Sequence, residues 1–215
     1  MIIAVDGPAA AGKGTLARAL AKHFHYHFLD TGTLYRRVGL ALIKDGIAVG
    51  NATVATAIAQ DLQSRPFSEL ELRNEDVAAA ASIVASIAEV RTALLDFQRN
   101  FAAQPPGAVL DGRDIGTVVC PQAEAKLFIT ASPEIRARRR TQELIGLGTN
   151  AAFDTVLADI RARDARDSKR VSAPLVPARD AVVIDTSHMT IEEAVGAAIA
   201  AVDRVLPRHR TINRI

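Results

Sequence analysis

The sequence predicts an α/β fold in which helices cover both faces of a doubly wound, five-stranded parallel sheet. Five short segments are mostly apolar without alternation, as strands covered on both faces are. These segments are Met1–Asp6, His27–Asp30, Ala108–Asp111, Lys126–Ala131 and Ala181–Thr186. Helical segments lie between them, and this alternation is typical of a parallel sheet. The chain has 215 residues, of which 49% are hydrophobic, and this is enough for the core of one domain.

Four predicted helices follow strands of this sheet, and two additions interrupt the alternation. The helices are Gly14–Phe24, Thr33–Lys44, Pro133–Leu147 and Thr190–Leu206. The first addition is mainly helical, spans about residues 51–103 and ends at the turn sequence QPPG (104–107). Within it, Phe67–Arg73 is predicted to form a short strand. The second addition, at about residues 134–170, leaves core segments at 1–50, 104–133 and 171–215.

A glycine-rich loop connects the first strand to the first helix. Its sequence, GPAAAGKGT, has the Gly-x4-Gly-Lys spacing of a phosphate-binding P-loop. Glycines let backbone N–H groups approach phosphate oxygens, the helix N-terminus adds positive charge, and Lys13 can reach the β- and γ-phosphates. Thr15 offers a hydroxyl to Mg²⁺, directly or through a water. We therefore expect ATP to bind at Gly7, Pro8, Ala9, Ala10, Ala11, Gly12, Lys13, Gly14 and Thr15.

The second strand leads into the motif LDTGTLYR (29–36), at the sheet edge where ligands of open α/β folds bind. Asp30 or Thr31 can cap the following helix. Capping does not account for Arg36, which lies inside the helix and is predicted to contact a phosphate.

The third strand leads into DGRDIG (111–116), where two carboxylates flank an arginine. Such carboxylates are costly together unless a ligand or metal uses them. Asp111 can hold Mg²⁺ through water or orient Lys13. Arg113 suits an acceptor phosphate, and Asp114 suits the amino group of a base. The alternative interpretation is a salt-bridged turn.

Arginines are concentrated in two predicted helices joined by the turn GLGTN (146–150). Arg136, Arg138, Arg139 and Arg140 begin one helix, and RARDARDSKR (161–170) ends the next. Arg163, Asp167 and Arg170 are spaced to share one helix face. Phosphoryl transfer needs arginines that approach on closure and exclude water, so this hairpin is predicted to be a lid. Solvated helix faces and a nucleic-acid patch are the alternatives.

Composition narrows the class of protein further. A formal net charge of +2 is too small to favour nucleic-acid binding. The single cysteine, Cys120, has no nearby base, so we expect it to be structural and the protein to be cytoplasmic. The N-terminus has no signal-peptide pattern, no segment suits a membrane span, and we expect a monomer. His23, His25 and His27 alternate, and a surface cluster is favoured over a metal site.

With these motifs in order, the chain resembles the bacterial cytidylate kinase (CMP kinase) family of nucleoside monophosphate kinases. The GKGT ending of the loop, VAAAASIVASIAEVR, DGRDIGTVVCP, RDARDSKRVSAPLVP and AVVIDTS each look like blocks of that family, nearly end to end. The resemblance implies transfer of the ATP γ-phosphoryl group, with Mg²⁺, to CMP or dCMP. It also implies that residues 51–103 are an NMP-binding insertion.

The resemblance also implies individual roles. Ser82, Arg91 and Asp114 would read the cytosine. Arg36, Arg113 and Arg170 would hold the acceptor phosphate. Thr31, where the family often has Ser, would lie beside the sugar with Arg163 and Asp167. The catalytic groups would be Lys13, Arg113, Arg136, Arg166 and Arg170, with Arg136 and Arg166 on the lid side.

Other interpretations predict different behaviour. A kinase for AMP, UMP or a non-nucleotide acceptor would share the fold but not need Ser82, Arg91 and Asp114 as base-reading groups. A regulator without turnover would not need the arginine-rich hairpin. The chain between Arg36 and Ser82 is shorter than in longer family members, which carry a small β-rich module there. Phe67–Arg73 is interpreted as its remnant.

Overall fold

The computed structural model describes residues 1–72 and 74–205, and its centre is a five-stranded parallel sheet. The strands are β1 (Ile2–Asp6), β2 (His27–Asp30), β3 (Ala108–Gly112), β4 (Ala125–Thr130) and β5 (Val182–Asp185). Their order in the sheet is β2-β3-β1-β4-β5, and every neighbouring pair is parallel. The predicted α/β fold class and all five predicted strands are confirmed.

Nine helices surround the sheet in the described part of the chain. They are α1 (Lys13–Phe24), α2 (Thr31–Lys44), α3 (Ala52–Gln60), α4 (Glu69–Leu72), α5 (Glu75–Val84), α6 (Ala88–Ala102), α7 (Pro133–Gly146), α8 (Phe153–Ser168) and α9 (Ile191–Asp203). A 3₁₀ turn (Leu62–Ser64) and a π-helical turn (Ile115–Val119) complete the elements. The four predicted helices are present, although the predicted end at Leu206 lies outside the described residues.

The central strands are buried on both faces, which explains their apolar runs. Ile3 and Val5 of β1 pack with α1 and α9 on one side of the sheet. On the other side, Ala4 and Leu110 pack with the π-helical turn and the end of α6. A strand enclosed in this way has no solvent face, so apolar and polar residues do not alternate along it.

The chain between β2 and β3 is helical, as predicted, and packs around α2. Helices α2, α3, α5 and α6 share one apolar cluster that includes Val38, Leu42, Ile58, Val84 and Leu94. This cluster gives the inserted helices a core of their own beside the sheet.

The predicted strand at Phe67–Arg73 is wrong, because Glu69–Leu72 forms the short helix α4. The Glu71 carboxylate accepts a hydrogen bond from the Ser68 N–H, and the Leu72 N–H donates to the Ser68 carbonyl. These local bonds close a helical turn, and Leu72 is then buried against Leu40. Arg73 lies outside the described residues.

Helices α7 and α8 form the predicted hairpin. Ala137 and Leu144 of α7 pack against Val156 and Ile160 of α8. The connecting turn includes Gly148, whose φ of +83° places it in the left-handed region that favours glycine.

In residues 1–72 and 74–205, no single helix is long and apolar enough to cross a membrane. Helices α5 and α6 meet that criterion only when taken together, and a bend of 98° separates them.

Candidate active site

The loop between β1 and α1 has the backbone shape of an anion cradle. Gly7 and Gly12 have φ values of +146° and +88°, which L side chains rarely adopt. A Cβ on Gly7 would lie 1.9 Å from the Ile129 carbonyl oxygen, so no larger residue fits there. Helix α1 begins at Lys13 directly behind the loop, and its first N–H groups point toward it. The loop is therefore built to receive a phosphate group.

Lys13 is buried at the base of this cradle. Its Nζ donates to the Pro8 carbonyl at 3.0 Å and lies 3.7 Å from Asp111 Oδ1. Burial and the Arg113 charge together lower the pKa of Lys13 to about 8, while Asp111 opposes the shift. Asp111 is therefore placed to orient the lysine, which is one of the two roles predicted for it. A buried, weakly paired ammonium is well suited to a polyanion.

A cavity of about 510 Å³ opens above the loop. Its walls come from the loop, the ends of β2 and β3, and the α7–α8 hairpin, and they include Ala9, Lys13, Asp30, Asp111, Arg113 and Asn150. The predicted phosphate-binding loop and the predicted lid therefore face the same space.

A second, smaller cavity of about 50 Å³ lies between α2, α5, α6 and β3. Its walls carry all nine residues predicted to bind substrate, and six of them line this cavity alone, namely Thr31, Ser82, Arg91, Asp114, Asp167 and Arg170. Arg36, Arg113 and Arg163 line both cavities. We call the large cavity the loop side and the small cavity the base side, after the residues predicted to read the base. The three arginines lie at the boundary between them.

The base side holds a buried ion pair between Arg91 of α6 and Asp114. Burial raises the pKa of Asp114, while the Arg91 charge and hydrogen bond lower it. The Arg91 guanidinium also lies 5.9 Å from the centre of the Tyr35 ring. Ser82 is buried beside this pair, and its Oγ is 3.4 Å from Arg166 Nε. The three predicted base-reading residues thus come together from three separate elements.

Two buried contacts set the backbone that carries Arg113 and Asp114. The Thr31 hydroxyl donates to the Asp111 carbonyl at 2.8 Å. The Asp6 carboxylate accepts from the N–H groups of Ile115 and Gly116, at 2.8 and 2.7 Å. The loop is therefore held at both ends by groups outside it.

The predicted Arg163–Asp167–Arg170 face is present, and Arg113 joins it. Asp167 is buried, accepts from Arg113 Nε at 3.2 Å and from Arg170 at 2.5 Å, and lies 3.9 Å from Arg163 Nε. The Nε atoms of Arg163 and Arg170 are buried and have no hydrogen-bond partner among the described residues. Burial, together with the neighbouring arginine charges, lowers the pKa of Arg163 and of Arg170. One carboxylate serves three guanidinium groups, so the cluster lacks negative charge.

Of the remaining predicted residues, Arg36 lines both cavities, whereas Arg136, Arg166 and Thr15 line neither. Arg36 donates to the Leu72 carbonyl at 2.7 Å. Arg136 is buried, and its donors are bonded to Asp164 and to the carbonyls of Ala9 and Ala131. Arg136 thereby ties α7 to the phosphate loop. Arg166 is exposed on α8, and Thr15 is exposed on the first turn of α1.

Two predictions away from the site were also checked by the structure. Cys120 is buried in the core, and burial raises the pKa of its thiol to about 11, so the predicted structural role is confirmed. In the described part of the chain, no group of three or more His, Cys, Asp or Glu side chains is arranged to hold a metal ion. His27 instead hydrogen-bonds to the Pro105 carbonyl at 2.9 Å.

Sequence reasoning missed several residues of the site. Asp6 ends β1, directly before the loop motif, and none of the sequence motifs includes it. Tyr35 lies inside LDTGTLYR, but nothing in that motif indicated that its ring would lie beside Arg91. Arg140 was grouped with the other arginines, whereas the structure pairs it with Glu75 of α5 across the large cavity.

Comparison with known proteins gives a consistent result. A family model described as cytidylate kinase matches residues 3–204 of the chain. The cytidylate kinase of Xanthobacter autotrophicus is 56% identical over 203 residues, which cover 94% of this chain and 97% of that protein. The cytidylate kinase of Methylocella silvestris is 55% identical over 203 residues, covering 94% of each.

Solved structures support the fold. An uncharacterized protein from Eubacterium ventriosum superposes with a TM-score of 0.56 at 15% sequence identity, covering 95% of this chain and 98% of that one. At this identity the likeness extends to the fold alone.

Proposed function

Because the chain belongs to the cytidylate kinase family, we propose that it transfers the γ-phosphoryl group of ATP to CMP and dCMP. CMP phosphorylation is the activity that defines this family of nucleoside monophosphate kinases. The use of ATP as donor, of Mg²⁺, and of dCMP as a second acceptor is our proposal. The observation that carries it is the pair of adjoining cavities, one at the phosphate loop and one at the Arg91–Asp114 pair.

The base side is complementary to cytosine. The cytosine amino group can donate to the Asp114 carboxylate or the Ser82 hydroxyl, and Arg91 can donate to its carbonyl and ring nitrogen. Uracil presents a carbonyl where cytosine has an amino group, and it would place an acceptor against the Asp114 carboxylate with no proton to share. We infer that the Arg91–Asp114 pair holds both side chains ready before the base arrives.

The acceptor phosphate is assigned to the arginines between the cavities. Arg163 and Arg170 each have a buried Nε without a partner, and Arg113 lies beside the same carboxylate. A phosphate group would supply acceptors to these donors and the negative charge that Asp167 alone does not provide. Arg36 lines both cavities, and we assign it to the same phosphate. Thr31 and Asp167 are assigned to the neighbouring sugar, together with Arg163, which we assign to both the sugar and the phosphate.

The donor phosphates are assigned to the cradle formed by residues 7–15, with Lys13 at the β- and γ-phosphates. The acceptor phosphate is already an anionic nucleophile, so positioning and charge stabilisation account for the catalysis without a general base. Arg113 and Arg170 would stabilise the transferring group from the acceptor side. Arg166 would approach from α8, and Arg136 would reach a phosphate only by exchanging its bonds to Asp164 and Ala9.

Thr15 in the first turn of α1 and the neighbouring Asp111 also provide oxygen ligands of the kind that Mg²⁺ prefers. A Cβ on Gly14 would lie 3.3 Å from Asp111 Oδ2, so the absence of a side chain lets this carboxylate approach the turn that carries Thr15. One carboxylate and one hydroxyl suit Mg²⁺, which retains waters and binds phosphates. Thr15 and Asp111 would hold the ion, and its bound charge would neutralise the β- and γ-phosphates.

We also propose that residues 51–103 form the NMP-binding insertion and residues 134–170 the lid of one kinase domain. The two parts face each other across the large cavity, where Arg140 pairs with Glu75. Closing such a gap would exclude water from the phosphoryl group.

A coupled ADP-release assay over CMP, dCMP, UMP and AMP tests the proposal. We expect turnover with CMP and dCMP and much lower kcat/KM with UMP and AMP. Comparable rates with UMP or AMP would contradict the assignment of Ser82, Arg91 and Asp114. Nucleotide binding without ADP release would support a non-catalytic regulator instead.

A further inference from the structure

Asp6 is a buried carboxylate that the reaction described above does not use. It ends β1, directly before Gly7 of the phosphate loop, and is 5% exposed. Burial, with a smaller contribution from the nearby charges of Asp114 and Asp111, raises its pKa to about 7, and the two N–H donors that it binds oppose this rise. A buried carboxylate close to other carboxylates destabilises the folded state unless specific contacts compensate for it.

These contacts fall on the turn that follows the acceptor-side motif. Oδ1 accepts from the Ile115 N–H at 2.8 Å, and Oδ2 accepts from the Gly116 N–H at 2.7 Å. Both N–H groups belong to the first turn of a π-helical segment, where helical backbone donors have no intrahelical partner. Two oxygens on one carboxylate therefore fix two consecutive peptide units.

The space around Gly116 in this turn is limited. A Cβ on Gly116 would lie 3.2 Å from Lys126 Cδ and 3.4 Å from Asp6 Oδ2, so a side chain there would require the Lys126 side chain or the carboxylate to shift. Asp114 immediately precedes the turn, with φ of −145° and ψ of +26°. The direction in which Asp114 leaves the backbone thus depends on where residues 115 and 116 are held.

We propose that Asp6 is a positioning residue for the acceptor site, which aims Arg113 and Asp114 at CMP by clamping the backbone of Ile115 and Gly116. This inference rests on the proposed function, since it assigns Asp6 a part in CMP binding. The same residue adjoins Gly7, so one strand end supports the donor loop through its backbone and the acceptor loop through its side chain.

The variant Asp6→Asn tests the proposal. A carboxamide has one acceptor oxygen, and its NH₂ group would face the second N–H, so one of the two bonds is lost. Misplacing a binding group by a fraction of an ångström is expected to raise the CMP Kd and KM roughly 10- to 100-fold. The ATP Kd should change far less, because the phosphate loop keeps its own backbone bonds.

Glu124→Gln is the matched control. Its carboxylate accepts a backbone N–H from Ile2 at 2.7 Å, at the opposite end of the same strand. The same chemical change there should leave the CMP and ATP constants as they are in the unaltered protein. Circular dichroism and Tm report whether each variant is folded, and Asp6→Ser, which keeps one small acceptor, serves if Asp6→Asn does not fold.

A double-mutant cycle with Asp114→Ala separates positioning from general loosening. If Asp6 acts through Asp114, Asp6→Asn should weaken CMP much less when Asp114 is already absent. Equal losses of CMP and ATP affinity, full additivity, or an unchanged CMP Kd in folded Asp6→Asn would each overturn the proposal. CMP turnover by the unaltered protein is measured alongside, so a failure of the proposed function is recognised separately.

Discussion

Arg91 and Asp114 pair with each other inside the smaller cavity, where their side chains are only 9% and 7% exposed. Arg91 comes from the first turn of helix α6, and Asp114 comes from the loop after β3. Burying two charges is unfavourable unless each is paired and hydrogen-bonded. The pair therefore places the two predicted base-reading groups side by side, and the Arg91 charge lowers the pKa of Asp114 against the rise that burial causes.

Asp114→Ala is expected to weaken CMP more than ATP. The change removes an acceptor for the cytosine amino group and leaves Arg91 buried without its partner, and we expect roughly a 10- to 100-fold rise in the CMP Kd. Isothermal titration with each nucleotide measures this difference. Asp96→Ala, an exposed acid on α6, is the control and should change neither constant. Unchanged CMP affinity in folded Asp114→Ala would show that Asp114 does not read the base.

Lys13→Ala is expected to leave the fold intact and to lower kcat severely. Lys13 provides the buried positive charge in the phosphate cradle, and removal of one such group typically reduces kcat by about 10²–10³-fold. Steady-state ADP release at saturating CMP and ATP measures the loss, and circular dichroism checks the fold. Lys22→Ala changes an exposed lysine on the same helix and should retain full activity. Near-normal turnover of Lys13→Ala would remove Lys13 from the catalytic groups.

The pH dependence of kcat/KM for ATP should fall on the alkaline side at about pH 8. Burial and the Arg113 charge lower the pKa of Lys13 to about 8, so its ammonium is present below that pH and is lost as the pH rises through it. Bound ATP phosphates would favour the charged form, so the fall in kcat should occur at higher pH than the fall in kcat/KM. Profiles from pH 6 to pH 10 in buffers of constant ionic strength test this. A flat kcat/KM profile across that range would contradict it.

Arg163→Gln is expected to raise Tm in the absence of nucleotides while lowering the affinity for CMP. Arg163 has a buried Nε without a partner and lies among other cationic groups, so its charge is poorly compensated until an anion binds. Such a trade between stability and binding is common at functional sites. Thermal unfolding with and without CMP measures both effects.

Arg161→Gln is the control for that change. It removes an exposed charge on the same helix that pairs only with Glu134, and exposed pairs contribute little. If Arg163→Gln lowers Tm without CMP, or leaves CMP affinity unchanged, the anion-binding role of Arg163 is wrong.

Much of the fold could be predicted from local sequence. The apolar runs of β1 and β3 predicted strands covered on both faces, and both are buried throughout their central residues. The strand at Phe67–Arg73 was predicted wrongly because a segment of seven residues does not show whether a turn or a neighbouring strand satisfies its backbone hydrogen bonds. Local hydrogen bonds that involve Ser68 and Glu71 stabilise a helical turn there instead.

The candidate site was predictable where a motif carries its own geometry. The Gly7–Thr15 loop needs only its neighbours along the chain, since glycine φ values and the start of α1 create the cradle. The motif DGRDIG identified Arg113 and Asp114 as ligand-binding candidates. It did not indicate that Asp6 would hold the turn behind them, because that contact joins two strand ends far apart in the chain.

By itself, the sequence determined the fold class, the phosphate loop and the set of charged residues available to an acceptor. The tertiary structure alone decided how those charges are shared: Arg91 with Asp114, Asp167 with three arginines, and Asp6 with two backbone N–H groups. The physical reason is that local patterns depend on neighbours in the chain, whereas the pairing of buried charges depends on which elements the sheet and the hairpin bring together.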